Sequence, residues 1–456
     1  RGPQGTLFGK NAIGGTIRLV SRKPQGDNTG TAEVRVASFD PLDVRGSYDI
    51  SLVPDKLFAR FSASSKQADG YFDILDYECV NGPGSLGGVG NSGIQPGATH
   101  TTFGIPLPLP VTPPVDLQSQ LGPQDIRAEE GCVVDTLGDE NVATGRAAFR
   151  WLPNEEVEVN FIADITQLDQ KGPSDKYTFL NPAFNFNQQF SNNVTVPVFG
   201  LPYDTRFITN DAYTGYHRFG SDPLFNRDVR NVNQMEHWGT SMTIDWQISD
   251  SVQFKSITSY REFENTFGRD SDGTPLPVDH TWDTSVHEQT TQEFQITGLA
   301  ADGRLDWATG LFLYEADDSN QGWNFLYPFI LSTNNHKDVQ TTDSKAVFFH
   351  ATYDLTDVLS VTAGVRFTDD EKVVNVFRQD FRTLNVIIPN TRVTVDAQET
   401  SPKIGLNWQL RPNLMTYVQW ATGFRGGGFG PRPANPLQVA AFDVETNDTL
   451  EGGVKT

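Results

Sequence analysis

The feature that most constrains this chain is a two-residue hydrophobic period that recurs along its length. From Val157 to Thr166 the odd positions are apolar and the even positions are mainly polar. The same alternation occupies residues 305–314, 361–368 and 403–410. Successive side chains of a β-strand point to opposite faces, so each segment predicts a strand with one apolar and one polar face. A sustained helical period is absent from the sequence, and we expect an all-β protein.

Connections of two very different lengths separate these segments. Short turns occur at residues 53–56, 152–155, 249–251, 301–303, 355–357 and 410–413. They are rich in Pro, Asn, Asp and Gly, which supply the backbone angles of tight turns. Long connections alternate with them, near residues 68–140, 169–233, 268–284, 318–341, 371–397 and 426–446. Short turns at one edge and long loops at the other, with strands of about ten residues, are typical of membrane β-barrels. On this pattern we expect roughly thirteen strands and the start of another.

The composition excludes several other classes of protein. Hydrophobic residues make up 37% of the chain, and no run of about 18 apolar residues occurs, which excludes a membrane-spanning helix. The formal net charge is −22, from 35 Lys and Arg against 57 Asp and Glu. Such a chain is a poor partner for nucleic acid or for an anionic lipid surface, because both need clustered cations. A soluble β-sandwich or propeller is the alternative, although a propeller would have turns of similar length at both edges.

The two faces of the predicted strands differ in a way that suits a hydrated interior. One face mixes large side chains such as Phe312 and Phe348 with charges such as Arg366, whereas the inner face of a soluble sandwich is apolar and packed. The other face carries aromatic residues close to the turns, as membrane barrels do at the lipid–water interface: Trp151, Trp246, Trp307 and Tyr353. In lipid an open sheet edge is forbidden, so such a sheet must close.

The first 24 residues carry a specific motif. They read RGPQGTLFGKNAIGGTIRLVSRKP, in which the defining positions are Arg1, Gly2, Pro3, Gly5, Gly9, Gly14 and Gly15. This segment strongly resembles the end of the plug domain of TonB-dependent outer-membrane receptors. Gly14 and Gly15 open a predicted short strand at Thr16–Val20. Further similarity to the same family lies at Gly364–Asp370, Tyr417–Gly427 and Leu450–Thr456.

The resemblance implies a fold. Members of this family enclose an N-terminal plug in a 22-stranded antiparallel transmembrane β-barrel. We therefore expect residues 1–27 to be the C-terminal end of a plug domain and residues 28–456 to be a partial barrel, both belonging to a longer protein. The implied location is the outer membrane of a Gram-negative bacterium, in contact with its lipid.

The resemblance also implies a function. Receptors of this family actively take up a scarce ligand with proton-motive energy transmitted by the TonB protein, and they perform no chemistry on it. We expect a non-enzymatic, monomeric receptor without cofactor, metal or nucleic-acid partner, whose ligand is a ferric siderophore. A carbohydrate or an aromatic compound is the alternative ligand, and a passive porin or adhesin barrel is the alternative function.

The long connection after residue 169 supplies the candidate ligand-binding side chains. Aromatic rings stand beside amides there, which suits a siderophore, a sugar or an aromatic ligand, and the rings are Tyr177, Phe184, Phe186 and Phe190. Arg206 and Arg218 are candidates to contact an anionic ferric complex. The alternative interpretations are that the rings pack the loop against itself and that the arginines form surface ion pairs.

Two further features lie in the predicted loops. Cys79 and Cys132 both fall in the first long connection. The exposed compartment implied by the resemblance is oxidising, so we expect a disulfide that staples this loop. The segment Asp270-Ser271-Asp272-Gly273 faintly resembles the start of a calcium loop, but the Glu required at loop position twelve is absent. We therefore predict no metal.

Overall fold

A 15-stranded antiparallel sheet is the main element of the fold. The computed structural model describes residues 3–17, 19–37, 41–82, 85, 99–102, 105–108, 130–179, 191, 195–196, 201–222, 227–276, 278–326, 334–380 and 383–456. The strands of the sheet are β1 Gly30–Val36, β2 Leu42–Val53, β3 Leu57–Ala68, β4 Glu140–Trp151, β5 Val157–Gln170, β6 Val232–Ser249, β7 Val252–Asp270, β8 Asp279–Ala300, β9 Leu305–Leu326, β10 Asn334–Thr356, β11 Leu359–Gln379, β12 Val386–Thr400, β13 Lys403–Arg411, β14 Leu414–Arg425 and β15 Glu445–Lys455.

Strands that are consecutive in the chain are neighbours in the sheet, with one exception. β12 and β13 both pair with β11, β12 from Phe367 onward and β13 before Arg366. They are therefore two halves of one strand that is interrupted at Ser401-Pro402. Counting these halves as one reduces the 15 strands to fourteen, which agrees with the predicted thirteen strands and the start of another.

The six predicted short turns each join two consecutive strands. They connect β2 to β3, β4 to β5, β6 to β7, β8 to β9, β10 to β11 and β13 to β14. The long connections all lie at the opposite edge of the sheet, because every neighbouring pair is antiparallel. The predicted separation of short turns from long loops is thus confirmed.

The strands are longer than predicted. β8, β9, β10 and β11 have 22, 22, 23 and 21 residues, against an expectation of about ten. A tilted strand needs about 9–11 residues to cross a bilayer. Each of these strands therefore continues beyond the membrane at the edge that carries the long connections, and much of what the sequence indicated as loop is sheet.

The outward face of the sheet is apolar. Leu311, Val347 and Phe367 lie side by side on β9, β10 and β11, with 41%, 53% and 45% of their surface exposed. Ala346 and Phe348, which point to the other face, are only 3% exposed. Large apolar side chains in contiguous exposure mark a surface that is covered by lipid.

The apolar band has a clear upper limit. On the outward face of β9 it occupies Leu305–Leu313, and on β10 it occupies Val347–Leu355, about nine residues in each case. The next outward positions are charged: Glu315 on β9, Lys345 on β10 and Asp369 on β11. The band therefore has the height of one bilayer crossing, and the strands above it stand in water.

The N-terminal segment lies against the inward face. Its helix α1, Gly5–Phe8, contacts β10, β11 and β14. Thr6 donates its hydroxyl hydrogen bond to the Ser401 carbonyl at 3.0 Å. Lys10 pairs with Asp370, with 2.5 Å between Nζ and Oδ1. The N-terminal segment therefore contacts the inward face of the sheet through polar groups as well as through packing.

Two glycines allow this close approach. Gly9 has φ +77°, and a Cβ added to it would lie 3.1 Å from the Arg366 guanidinium. A Cβ on Gly423 of β14 would lie 2.8 Å from the Pro3 side chain. Any larger residue at either position would push the segment away from the wall.

The same segment reaches the far side of the sheet. Asn447 of β15 donates to the Ile13 carbonyl at 3.2 Å, and Arg146 of β4 donates to the Ser21 hydroxyl at 2.7 Å. In a flat sheet these two strands, ten positions apart, would be separated by about 48 Å. The eight residue steps from Ile13 to Ser21 extend at most about 29 Å. The sheet therefore curves around the segment.

One prediction for this segment is wrong. Thr16, Ile17, Leu19 and Val20 are not in a strand, and Ile17 and Leu19 are each 93% exposed. A strand requires a hydrogen-bonded partner, and no described residue pairs with this stretch. The boundary between residues 27 and 28 stays a prediction, although β1 begins at Gly30.

The first two long connections build a small ordered unit beyond the sheet. Phe72–Leu75 pairs on one side with Val133–Leu137 and on the other with Thr214–Gly215. Helix α2, Tyr77–Asn81, follows, and Cys79 is joined to Cys132 by a disulfide with a Cα–Cα distance of 5.6 Å. We refer to this three-stranded sheet with α2 as the cap.

The remaining regular elements are short. Single 3-10 turns lie at Glu130–Cys132, Thr205–Phe207 and Pro436–Gln438, and two-stranded ribbons at Thr99–Thr102 with Ile105–Pro108, Gly220–Asp222 with Arg227–Val229, and Gly428–Phe429 with Ala441–Phe442. Within the described ranges, no helix has the length and hydropathy needed to span a membrane.

The outward band yields a stability prediction. Phe349→Arg places a cation inside the apolar band, so we expect the free energy of unfolding in lipid vesicles to fall by about 2–4 kcal/mol. The matched substitution Thr290→Arg lies on the outward face of β8 opposite Glu315, above the band, and should cost at most about 1 kcal/mol. Equal losses in denaturant titrations of the two variants would contradict the assigned membrane height.

The cap yields a second prediction. The disulfide closes a loop with a sequence separation of 53 residues. Its removal in the Cys79→Ser/Cys132→Ser variant should lower the local unfolding free energy of the cap by about 3–4 kcal/mol. We expect limited proteolysis to cut between residues 68 and 140 at least tenfold faster, while the strands stay resistant. Unchanged cleavage of the variant would show that the cap is held by its other contacts.

Candidate ligand-binding site

A cavity of about 590 Å³ lies on the inward face of the sheet above the apolar band. Five consecutive strands, β7 to β11, and the connection after β14 form its walls. The lining residues are Phe267, Arg269, Ser271, Asp279, Thr281, Asp283, Asn320, Asn324, Leu326, Asn334, His336, Arg378, Pro431, Arg432, Pro433 and Ala434. The strands place these side chains in a common layer because their register aligns Arg269, Thr281 and Asn324 across three neighbours.

An ion pair and a histidine–aspartate contact organise the wall. The Arg378 guanidinium of β11 contacts both carboxylate oxygens of Asp338, with 2.8 Å from Nη2 to Oδ2. Nε2 of His336 lies 2.6 Å from Oδ1 of Asp283. Arg378 and His336 are nearly buried, with 6% and 4% of their side chains exposed. Buried paired groups of this kind keep a fixed orientation toward the cavity.

Amides and hydroxyls fill the space between the charges. Thr281 donates to Asn324 at 3.1 Å, and the Asn324 amide lies 3.3 Å from Nδ1 of His336. Asn320 donates to Ser285 at 2.9 Å. Among the described lining residues, three arginines stand with two aspartates. Asp338 pairs with Arg378, and Asp175 lies 3.0 Å from Arg269, so both of these guanidinium charges are compensated beside the cavity. The cavity therefore offers guanidinium donors and not a net positive charge.

The turn between β7 and β8 forms one rim of the cavity. The Asp272 carboxylate accepts from the backbone N–H groups of Thr274 and Asp279, at 3.1 and 2.9 Å. Ser271 and Asp279 of this turn contact the cavity directly. Burial raises the pKa of Asp279 to about 6, and the nearby Asp272 carboxylate acts in the same direction.

The structure brings two of the predicted ligand-binding residues to this turn. Tyr177 stacks edge-to-face on Tyr203 at 5.4 Å, and its backbone nitrogen would lie 3.4 Å from a Cβ on Gly273. Burial raises the pKa of Tyr177 to about 12, so the phenol stays neutral. The backbone N–H of Arg218 donates to Asp270 at 2.6 Å. Both residues support the rim from behind and neither lines the cavity.

The other predicted residues are elsewhere. Arg206 forms a two-point contact with Asp204 inside its own turn, at 2.8 and 3.1 Å. This is the ion-pair alternative considered for it. The positions outside the described residues are Phe184, Phe186 and Phe190 of the loop and Arg1 and Gly2 of the N-terminal motif.

Sequence reasoning missed the residues that do line the cavity. Asp283, His336 and Arg378 lie on three strands and are far apart in the chain. A usable signal existed: polar side chains occupy alternate inward positions at the far end of each long strand, as at Asn334 and His336. The sequence pattern predicts strands of about ten residues, so it places these positions in loops.

The comparison with known proteins decides the family. Residues 166–456 match the β-barrel domain described as TonB dependent receptor-like. The chain belongs to the TonB-dependent receptor family. Members are transport receptors of the Gram-negative outer membrane and not enzymes, so the predicted family, the partial barrel fold and the location are confirmed.

Solved structures of this family are similar in fold. The ferric yersiniabactin uptake receptor of Yersinia pestis is 16% identical with a TM-score of 0.68, over 100% of this chain and 56% of that one. A siderophore receptor of Acinetobacter baumannii is 11% identical with a TM-score of 0.63, covering 100% and 58%. The ferric-catecholate import receptor of Escherichia coli is 11% identical with a TM-score of 0.60, covering 100% and 59%. The chain thus spans little more than half the length of these proteins.

Proposed function

We propose that this chain is part of a receptor that imports an anionic ferric chelate, a siderophore, across the outer membrane. The observation that carries the proposal is the cavity of about 590 Å³ with three arginines in its lining. Its volume falls within the range of about 300–1,000 Å³ that is typical of small-molecule sites. Its position above the apolar band is open to ligands that arrive from outside the cell.

The charges of the cavity favour a ligand with anionic oxygens. Arg432 lies in the exposed connection that borders the cavity, and Arg378 is fixed in the wall by Asp338. Guanidinium groups bind carboxylate and similar oxygen pairs in a two-point geometry. A ferric complex with carboxylate, catecholate or hydroxamate oxygens presents that chemistry. Two of the similar structures are receptors for ferric yersiniabactin and for ferric catecholate, which supports the same class of ligand.

The N-terminal segment supports energy-coupled import. It occupies the inward face and is held there largely by polar contacts, such as Thr6 with Ser401 and Lys10 with Asp370. Polar contacts can exchange for water when a segment moves, whereas a packed apolar contact resists separation. We assign residues 1–27 to the end of a plug, and we infer a TonB-type protein as the energy-coupling partner of the whole, monomeric receptor.

Two alternatives are weaker. The amides of Asn320, Asn324 and Asn334 would suit sugar hydroxyls, but among the described lining residues Phe267 is the single aromatic ring on which a sugar could stack. A passive pore would need an open interior, and the N-terminal segment lies across the inward face instead.

The proposal is tested with the full-length receptor in a strain without other iron receptors. We expect uptake of radioactive iron from at least one anionic ferric siderophore and no uptake without TonB. Arg432→Gln and Arg378→Gln should each weaken binding of that siderophore at least tenfold in calorimetry, or about 1.4 kcal/mol.

Arg261→Gln is the matched control. Arg261 lies on β7 outside the cavity and pairs with Asp164 at 3.5 Å, so its loss should leave siderophore affinity unchanged. Equal losses in all three variants would indicate a general charge effect and would contradict the assigned site. Binding of an uncharged oligosaccharide in place of every siderophore tested would favour the carbohydrate alternative.

A further inference from the structure

A cluster of metal-ligating side chains lies behind the rim of the cavity, where β7 turns into β8. Asp270, Asp272 and His280 each present one ligand atom, and these atoms lie within 4.8 Å of one another. The side chains of Asp270 and His280 are fully buried, with 4.0 Å between Oδ1 and Nε2. The two carboxylates are close together and Asp270 is removed from water, so the cluster needs a compensating positive charge.

A second histidine points at the same carboxylate from another connection. Nδ1 of His217 lies 3.8 Å from Oδ2 of Asp270, and only 1% of the His217 side chain is exposed. This Nδ1 is buried and makes no hydrogen bond. The ring is held in place by stacking on Phe219, at 5.9 Å between centroids.

The contact of the other ring nitrogen, Nε2, shows that this nitrogen carries a hydrogen. Nε2 of His217 lies 3.0 Å from the backbone carbonyl of Asp175, which can only accept, so Nε2 carries the hydrogen. In a neutral ring Nδ1 then faces the Asp270 carboxylate with a lone pair, and a lone pair opposite a carboxylate oxygen repels it unless a cation or a proton lies between them. Donation of the remote N–H to a backbone carbonyl is the usual arrangement of a metal-binding histidine.

The carboxylates are oriented by the backbone. Asp270 accepts from the N–H groups of Arg218 and Asp272, and Asp272 accepts from those of Thr274 and Asp279. An ionised carboxylate offers about four lone-pair sites, so both groups keep capacity for a further ligand. The loop thus holds the oxygens in place before any ion arrives.

We propose that Asp270, Asp272, His280 and His217 bind one divalent transition-metal ion. Two imidazole and two carboxylate donors suit Zn²⁺ or a similar first-row ion, whereas Ca²⁺ takes about 6–8 oxygen ligands. The segment from Asp270 lacks the Glu of a calcium loop, and on that ground the sequence predicts no metal. His280 lies eight residues beyond Asp272, and His217 comes from a different connection, so only the fold assembles the donors.

Zn²⁺ binding to the full-length receptor in detergent tests the site. The receptor is treated with a chelator and then dialysed against Zn²⁺. We expect mass spectrometry of its metal content to give about one Zn²⁺ per chain, because the donors form one site. His280→Gln, His217→Gln and Asp272→Asn should each weaken Zn²⁺ binding at least tenfold in calorimetry. His287→Gln is the matched control: His287 lies on β8 as His280 does and also faces a carboxylate, Asp318 at 2.6 Å, but it is outside the cluster.

Thermal unfolding of the unmodified receptor gives a readout that does not depend on the variants folding. Zn²⁺ should raise the transition temperature, and Ca²⁺ at the same concentration should not. The proposal is overturned if the unmodified receptor takes up no Zn²⁺, if His280→Gln and His217→Gln bind it as tightly as the control, or if Ca²⁺ stabilises equally. A receptor without Zn²⁺ whose Asp272→Asn variant is more heat-stable would show that a shared proton compensates the two carboxylates.

Discussion

Backbone hydrogen bonding in lipid is the constraint on which this structure depends. A polar backbone group left unpaired in the hydrocarbon costs several kcal/mol, so each crossing strand must be bonded to a neighbour on both sides. The observed ladder satisfies this requirement from β2 to β11 and in β13 and β14 by joining each strand to the adjacent ones, whereas β12 pairs with β11 alone. Once the backbone is paired, side chains are free to differ on the two faces. Leu311 and Val347 can meet lipid while Arg366 and Phe348 face the interior.

The same ladder continues above the membrane, where it serves a different purpose. There the outward positions become charged, as at Glu315 and Lys345, and the inward positions become polar, as at His336 and Arg378. The extended hairpins provide a rigid wall on which charged groups keep fixed positions, which loops would not provide. The ligand cavity and the Asp-His cluster both lie in this upper zone, one on the wall and one behind its rim.

The strand pairs and turns could be predicted because their signals are local. Val157–Thr166 shows the period of two within ten residues, and Pro54, Pro153 and Pro412 mark their turns directly. The motif around Gly9 identified the family for the same reason. The cavity could not be predicted, since which inward side chains share a height depends on the register of five strands. Asp283 meets His336 only because β8, β9 and β10 align at that level.

Strand length and strand pairing are the other features that the sequence does not predict correctly. The sequence pattern of β9 is mainly polar on both faces from Glu315 to Gly322, so this part of the strand resembles a loop. Thr16–Val20 has strand-like residues but no described partner, and a strand cannot be defined by one chain segment alone. Tyr177 and Arg218 lie behind the rim of the cavity and not in its lining, because the residue types of a loop do not reveal which side of a turn each residue occupies.

The disulfide of the cap bears on how such a chain is assembled. Both cysteines lie in the single connection between β3 and β4, so their oxidation requires none of the long-range strand pairing. Thiols meet an oxidising milieu in the periplasm, before a barrel enters its bilayer. The cross-link can therefore form first, and insertion then carries a covalently closed loop to the cell exterior. The third strand of the cap, Thr214–Gly215, comes from a later connection and joins this loop only when the strands between them are paired.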